Sequence, residues 1–188
     1  KVHGNPLGEE DGKHAKEVYN YNYPAFEIPE EVYKHFEETF AKRGAEHEEK
    51  WHKVYTAWSK ENKEDAHILE NAIAGNVNEY FKEEPKFEET NADSSRVASG
   101  KALNELHNMI PFIMGGSADV AGSVMTKING GTDFTKQTPN GRNINFGIRE
   151  FEMASAQNGM LLHGGLKTYV GCFLVFADYM KSAIRMSA

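Results

Sequence analysis

Three short apolar runs, PFIM (111–114), RNINF (142–146) and KTYVGCFLVF (167–176), are separated by stretches with helical character. Those stretches are VASGKALNELHNM (97–109), REFEMASAQNGMLLH (149–163), closed by Gly164-Gly165, and DYMKSAIRMSA (178–188). Strands joined by helices rather than tight turns pair in parallel. The pattern therefore predicts an α/β fold, a parallel sheet flanked by helices with ligands bound at its carboxyl edge. GGSADVAGS (115–123) is expected to be a Gly-rich loop at that edge.

Upstream the pattern is different. Residues 1–28, rich in Gly, Asn, Pro and Tyr, predict an irregular tail. Pro29, Glu30 and Glu31 make a helix start, with Val32, Phe36 and Phe40 along one face. Gly44 is expected to interrupt it. Trp51, Val54, Tyr55 and Trp58 form a second stripe, and Ile68, Leu69, Ala72, Ile73, Val77, Tyr80 and Phe81 a third. All three predict amphipathic packing helices. EEPKFEETNADSSR (83–96) has the composition of a polar connector and domain boundary.

The 188 residues suffice for one domain or pieces of two. A formal net charge of −7 argues against a nucleic-acid surface. The run VGCFLVFA is far short of a membrane span, and no signal-peptide pattern is present. Cys172 is the single cysteine, so no intrachain disulfide can form and a cytoplasmic home is expected. The chain opens on Lys1 and stops within a helical pattern, which suggests an excerpt of a longer protein.

Several motifs fail on their spacing. In HEEKWH, His47 and His52 lie five apart and diverge by roughly 140° around a helix, too far to share a metal. SRVASGK has Ser95 where a P-loop needs its first Gly, and Ala102 after the lysine. No GxGxxG occurs. Others stay open. Asp119 could orient a ligand or cap a helix. Phe173, Phe176 and Tyr179 could be a core stripe or a wall against a flat heterocycle. Glu150, following Gly147-Ile148-Arg149 where a strand hands over to a helix, could complement the helix dipole or serve as a buried carboxylate.

HGNPLG, GGSADVAGS, NFGIREFEMASAQNGMLLHGGLK and FLVFADYMKSAIRMSA, in this order and spacing, resemble the transketolase family across essentially the whole chain. The resemblance implies a thiamine diphosphate-binding fold, represented by a partial domain behind a helical interdomain connection. Residues 1–28 match the tail of the diphosphate-binding domain, 29–89 the connection, and 90–188 the first half of the pyrimidine-binding domain. It implies transfer of a two-carbon ketol unit between sugar phosphates in the pentose phosphate pathway, through a carbanion held on the cofactor. Dihydroxyacetone synthase, phosphoketolase and deoxyxylulose phosphate synthase share this cofactor logic, and a non-catalytic assembly module is the alternative from another class.

By the same resemblance, Glu150 matches the glutamate bonded to the aminopyrimidine ring, and Phe173, Phe176 and Tyr179 match the pyrimidine pocket. Asp119 lies in the family's cofactor loop. His3 matches an active-site histidine, catalytic and near the substrate, and Arg96 and Ser123 match phosphate-holding positions. A homodimer with the cofactor between subunits is implied. The divalent metal, Mg or Ca, would be bound by an upstream Gly-Asp-Gly motif absent from these residues, so the chain alone is expected to be inactive. Val124 replaces a common asparagine, Cys172 a usual threonine, and EMASAQNGM is more polar than the usual stretch.

Overall fold

The structure, a computed structural model, describes residues 3–86 and 92–188. Residues 87–91 of the expected connector lie outside the described residues. Two compact units divide the chain, 1–60 and 61–188.

The first unit is helical. Residues 1–28, expected to be irregular, contain α1 (Glu9–Val18). Glu9, Glu10 and Asp11 in its first turn and Lys16 in its last complement the helix dipole. With no residue buried, α1 has no apolar stripe to betray it. After Pro29 the chain forms α2 (Glu30–Phe36), a π turn (Glu37–Ala41) and α3 (Lys42–Glu61). Gly44 does not interrupt α3. A helical glycine costs only about 1 kcal/mol, and stacking on either side holds the helix together. Phe36 stacks on Phe40 with centroids 5.2 Å apart, and Trp51 on Tyr55 at 5.7 Å. The first two stripes exist, but Val32, Phe36, Phe40, Trp51 and Val54 are exposed and no residue of α2 or α3 is buried. The packing role expected for these stripes is therefore not met by burial among the described residues of either helix.

The second unit begins with α4 (Lys63–Ala74), which ends at Gly75 in the left-handed region, φ +67°. This cap splits the third stripe. Ile68 and Ala72 lie on α4, whereas Val77 and Tyr80 follow it around a short 3₁₀ turn. All four still join one core with Ile110, Phe112, Ile113 and Ile128. Next come α5 (Ser95–Met109), β1 (Ile113–Ser117), α6 (Ala121–Val124), β2 (Asn143–Asn145), α7 (Glu150–His163), β3 (Lys167–Gly171) and α8 (Ala177–Ser187). The sheet is parallel, in the order β2-β1-β3, as the alternating pattern predicts.

One boundary moved. Gly115, Gly116 and Ser117, expected in a loop, are the last residues of β1. A Cβ at Gly115 would collide with the Tyr169 carbonyl, and one at Gly116 with that of Ile144. These glycines thus serve close strand approach on both sides rather than a ligand loop. The second core cluster joins Ala118, Met153, Ala154, Met180 and Ala183, binding α7 and α8 to the carboxyl end of the sheet. Fully burying Met153 contributes about 2 kcal/mol. The polar residues of α7 tie it in place. Gln157 Nε2 donates to the Thr168 carbonyl at 3.3 Å and Asn158 Nδ2 to that of Ala183 at 2.9 Å.

His107, near the end of α5, has its Nδ1 enclosed without a protein partner. Burial, and secondarily the Arg142 charge, depress its pKa. A group depressed in the native state binds more protons when unfolded, so its stabilisation is complete above the ordinary imidazole value of about 6.5. It declines as pH falls through the depressed native value. Urea unfolding across this range should show His107→Gln losing less stability on acidification than the parent chain. Parallel curves would refute the assignment.

Candidate functional site

Every candidate residue in the second unit except Arg96 follows the carboxyl end of a strand. Beyond β1, Asp119 is exposed and left-handed, φ +64°. It is not a helix cap, because the N-cap of α6 is Val120 and no side chain caps that helix. Beyond β2, Phe146 and Gly147 lead into a turn closed by Arg149, whose Nη1 donates to the Phe146 carbonyl at 2.8 Å. Gly147 sits at φ +68°, a conformation that suits glycine. Arg149 is the N-cap of α7, and buried Met153 and Ala154 fix the helix. Glu150 is thereby its first residue, half-buried at the strand-to-helix turn.

Beyond β3, Cys172 and Phe173 lead through a 3₁₀ turn (Leu174–Phe176) into α8. Phe173 and Phe176 meet edge to face with centroids 6.3 Å apart, and Phe176 and Tyr179 are tilted at 6.4 Å. The rings are not a core stripe, because Phe173 is 37% and Tyr179 65% exposed. They make a continuous aromatic surface, suited to the face of a flat ring.

Burial, and in second place the Glu150 charge, raises the pKa of the half-buried Cys172 thiol. The Glu150 carboxylate thus acts on a thiol 22 positions away, the two residues following the exits of β2 and β3. The sequence marks Cys172 as the single cysteine and a departure from the family, with no place in the site. Sequence reasoning also passed over Ser117, only 2% exposed at the end of β1, whose Oγ has no protein partner. A polar side chain ending a buried strand was the available signal. Burial pushes the Tyr169 hydroxyl up to about 12, and it donates to the Thr126 carbonyl at 2.9 Å.

Arg96 and Ser123 come together although 27 positions apart, with Arg96 Nη1 donating to the Ser123 carbonyl at 3.3 Å. Both are exposed. Arg96 lines an open cavity of about 790 Å³ together with Ser95, Ser99, Thr126, Cys172 and Phe173. A guanidinium among hydroxyls is suited to a phosphate. His3 lies in the first unit, exposed and next to Gly4 at φ +84°. His47 and His52 lie on α3, exposed. Among the described residues, no His, Cys, Asp or Glu group is placed to hold a metal ion, and no helix is long and apolar enough to cross a membrane.

Residues 92–188 match the transketolase pyrimidine binding domain, and residues 1–78 the transketolase thiamine diphosphate binding domain. The transketolase of Bacillus subtilis (strain 168) is 43% identical over 100% of this chain. The transketolase of Pichia stipitis in complex with sedoheptulose-7-phosphate superposes with a TM-score of 0.79 at 29% identity, over 98% of this chain and 28% of that one. That of Leishmania mexicana gives 0.81 at 28% identity, over 97% and 27%. The chain spans 28% of the length of the Bacillus relative. With a pyrimidine-domain match covering the entire sheet and a thiamine diphosphate-domain match before it, the chain belongs to the transketolase family.

Proposed function

We propose that this chain is part of a longer cytoplasmic transketolase, a transferase that moves a two-carbon ketol unit from a ketose phosphate to an aldose phosphate in the pentose phosphate pathway. The observation that carries this reading is Glu150, half-buried at the first position of α7 on the edge that also carries three aromatic rings, two of them exposed. In this reading, residues 1–28 end the diphosphate-binding domain, 29–89 connect, and 90–188 begin the pyrimidine-binding domain.

The residues present fit the pyrimidine end of thiamine diphosphate. A carboxyl at the exit of β2, aromatic rings at the exit of β3 and the unpartnered Ser117 Oγ at the end of β1 suit a flat ring with polar edges. When bound, the cofactor would supply nucleophilic carbon chemistry and an electron sink for C–C cleavage. Glu150 hydrogen-bonds the aminopyrimidine ring and shares a proton with it. Phe173, Phe176 and Tyr179 cover the ring faces and exclude water, and Asp119 orients its polar edge. Arg96, aimed by the Ser123 carbonyl, pairs with the substrate phosphate, and the Ser123 hydroxyl adds a donor. His3 serves the reacting end of the substrate. A divalent metal, Mg or Ca, is held by the upstream part, and a homodimer encloses the cofactor. The sugar phosphate bound by the Pichia stipitis relative supports the substrate class.

Product analysis of the longer protein with xylulose 5-phosphate and ribose 5-phosphate tests the proposal. A seven-carbon ketose phosphate is expected. Acetyl phosphate would assign a phosphoketolase instead, and no turnover with cofactor and metal supplied would leave a binding module.

A further inference from the structure

The chain contains three Asn-Gly pairs, Asn129-Gly130, Asn140-Gly141 and Asn158-Gly159. This dipeptide carries its own chemistry. The glycine backbone nitrogen can attack the asparagine side-chain amide, because glycine has no Cβ to shield it. Whether it does so in a folded chain depends on what holds that nitrogen and that side chain.

The structure separates the three. Gly159 lies inside α7, where its N–H belongs to the helical ladder, and the Asn158 amide donates to the Ala183 carbonyl at 2.9 Å. Gly141 is buried, its N–H donates to the Thr138 carbonyl at 3.0 Å, and the Asp133 backbone packs against it. Both must open locally before attack. Asn129-Gly130 is different. These are the central residues of an exposed turn from Ile128 to Gly131, closed by the Gly131 N–H donating to the Ile128 carbonyl at 3.3 Å. Gly130 sits at φ +73°, the value a type II turn requires at its third position. In such a turn the N–H of that residue makes no turn hydrogen bond. Among the described residues, neither it nor the Asn129 side chain has a protein partner.

We infer that Asn129 is the fastest site of spontaneous deamidation among the three Asn-Gly pairs of this chain. The Gly130 nitrogen bonds to Asn129 Cγ and loses its proton, while the side-chain nitrogen leaves as ammonia. The resulting cyclic imide is opened by water at either carbonyl, giving aspartate or isoaspartate with no change of oxidation state. Either product places a new carboxylate beside a cavity of about 240 Å³ lined by Lys101, Asn104 and Lys127. Isoaspartate also lengthens the main chain at the turn. That strains the bond from the Asn129 N–H to Asn104 Oδ1, 2.7 Å long, which ties this turn to α5.

The longer protein, incubated folded in mildly alkaline buffer and mapped by peptide mass spectrometry, should convert Asn129 at least about tenfold faster than Asn140 or Asn158, because those two react only through local opening. Hydroxylamine should trap the imide by cleaving after residue 129. In strong urea the three rates should converge, and Asn129→Gln should abolish the dominant signal. Equal rates in the folded chain, or faster conversion at either other pair, would overturn the inference.

Discussion

Replacing Glu150 by glutamine in the longer protein is expected to lower kcat by about 10²- to 10⁴-fold, the usual weight of a positioned proton donor or acceptor. Glutamine keeps the size of the side chain and its place at the first position of α7. What it loses is the proton it could share with the aminopyrimidine ring. If Glu150 only complemented the helix dipole, the change would cost about 0.3–1 kcal/mol of stability and leave turnover intact. The two readings therefore diverge on different instruments. A collapse of kcat at nearly constant melting temperature supports the catalytic role. Undiminished turnover would remove Glu150 from the mechanism, whatever happened to stability. Calorimetric titration with thiamine diphosphate adds a readout independent of turnover, and weaker binding by the variant is expected.

The largest effect on stability is expected at Asn143. Its Nδ2 donates to the carbonyls of Ile128 and Gly131 at 3.1 and 2.9 Å, and its Oδ1 accepts from the Ile128 N–H at 2.8 Å. The residue is 4% exposed and pairs with Gly115 in the sheet, so water cannot readily replace these bonds. Asn143→Ala leaves buried backbone groups unsatisfied at about 1–3 kcal/mol each, so a total loss of about 3 kcal/mol or more is expected. Urea unfolding should show a lower midpoint with an unchanged slope. A loss below about 1 kcal/mol would mean that the 128–131 segment relaxes and finds other partners.

Where the sequence was legible, the reason was periodicity. RNINF and KTYVG fall on β2 and β3, and the Gly164-Gly165 stop falls at the end of α7. Legibility failed where apolar pattern and structure part company. α1 is built on charge order rather than on a stripe, and α3 runs through Gly44. Gly115 and Gly116 carry the signature of a loop but serve strand contact, a requirement visible only once Tyr169 and Ile144 are placed beside them. Stripes on α2 and α3 announced helices correctly, yet could not say what would cover them. At the candidate site the order of residues was readable. The Arg96–Ser123 hydrogen bond and the influence of the Glu150 charge on the Cys172 thiol link segments distant in sequence, which a local pattern cannot encode.

The sheet order has a consequence for the kinetics of folding. β1 is central, yet both its partners come later in the chain, Asn143 opposite Gly115 and Lys167 opposite Ile113. During synthesis β1 emerges first, one edge waiting until β2 and the other until β3 has left the ribosome. Parallel pairings across such separations are slow to form, because loop closure is unfavourable before any contact compensates for it. Newly made chain therefore exposes an apolar strand for longer than a hairpin protein would, and that interval is when a chaperone would engage it.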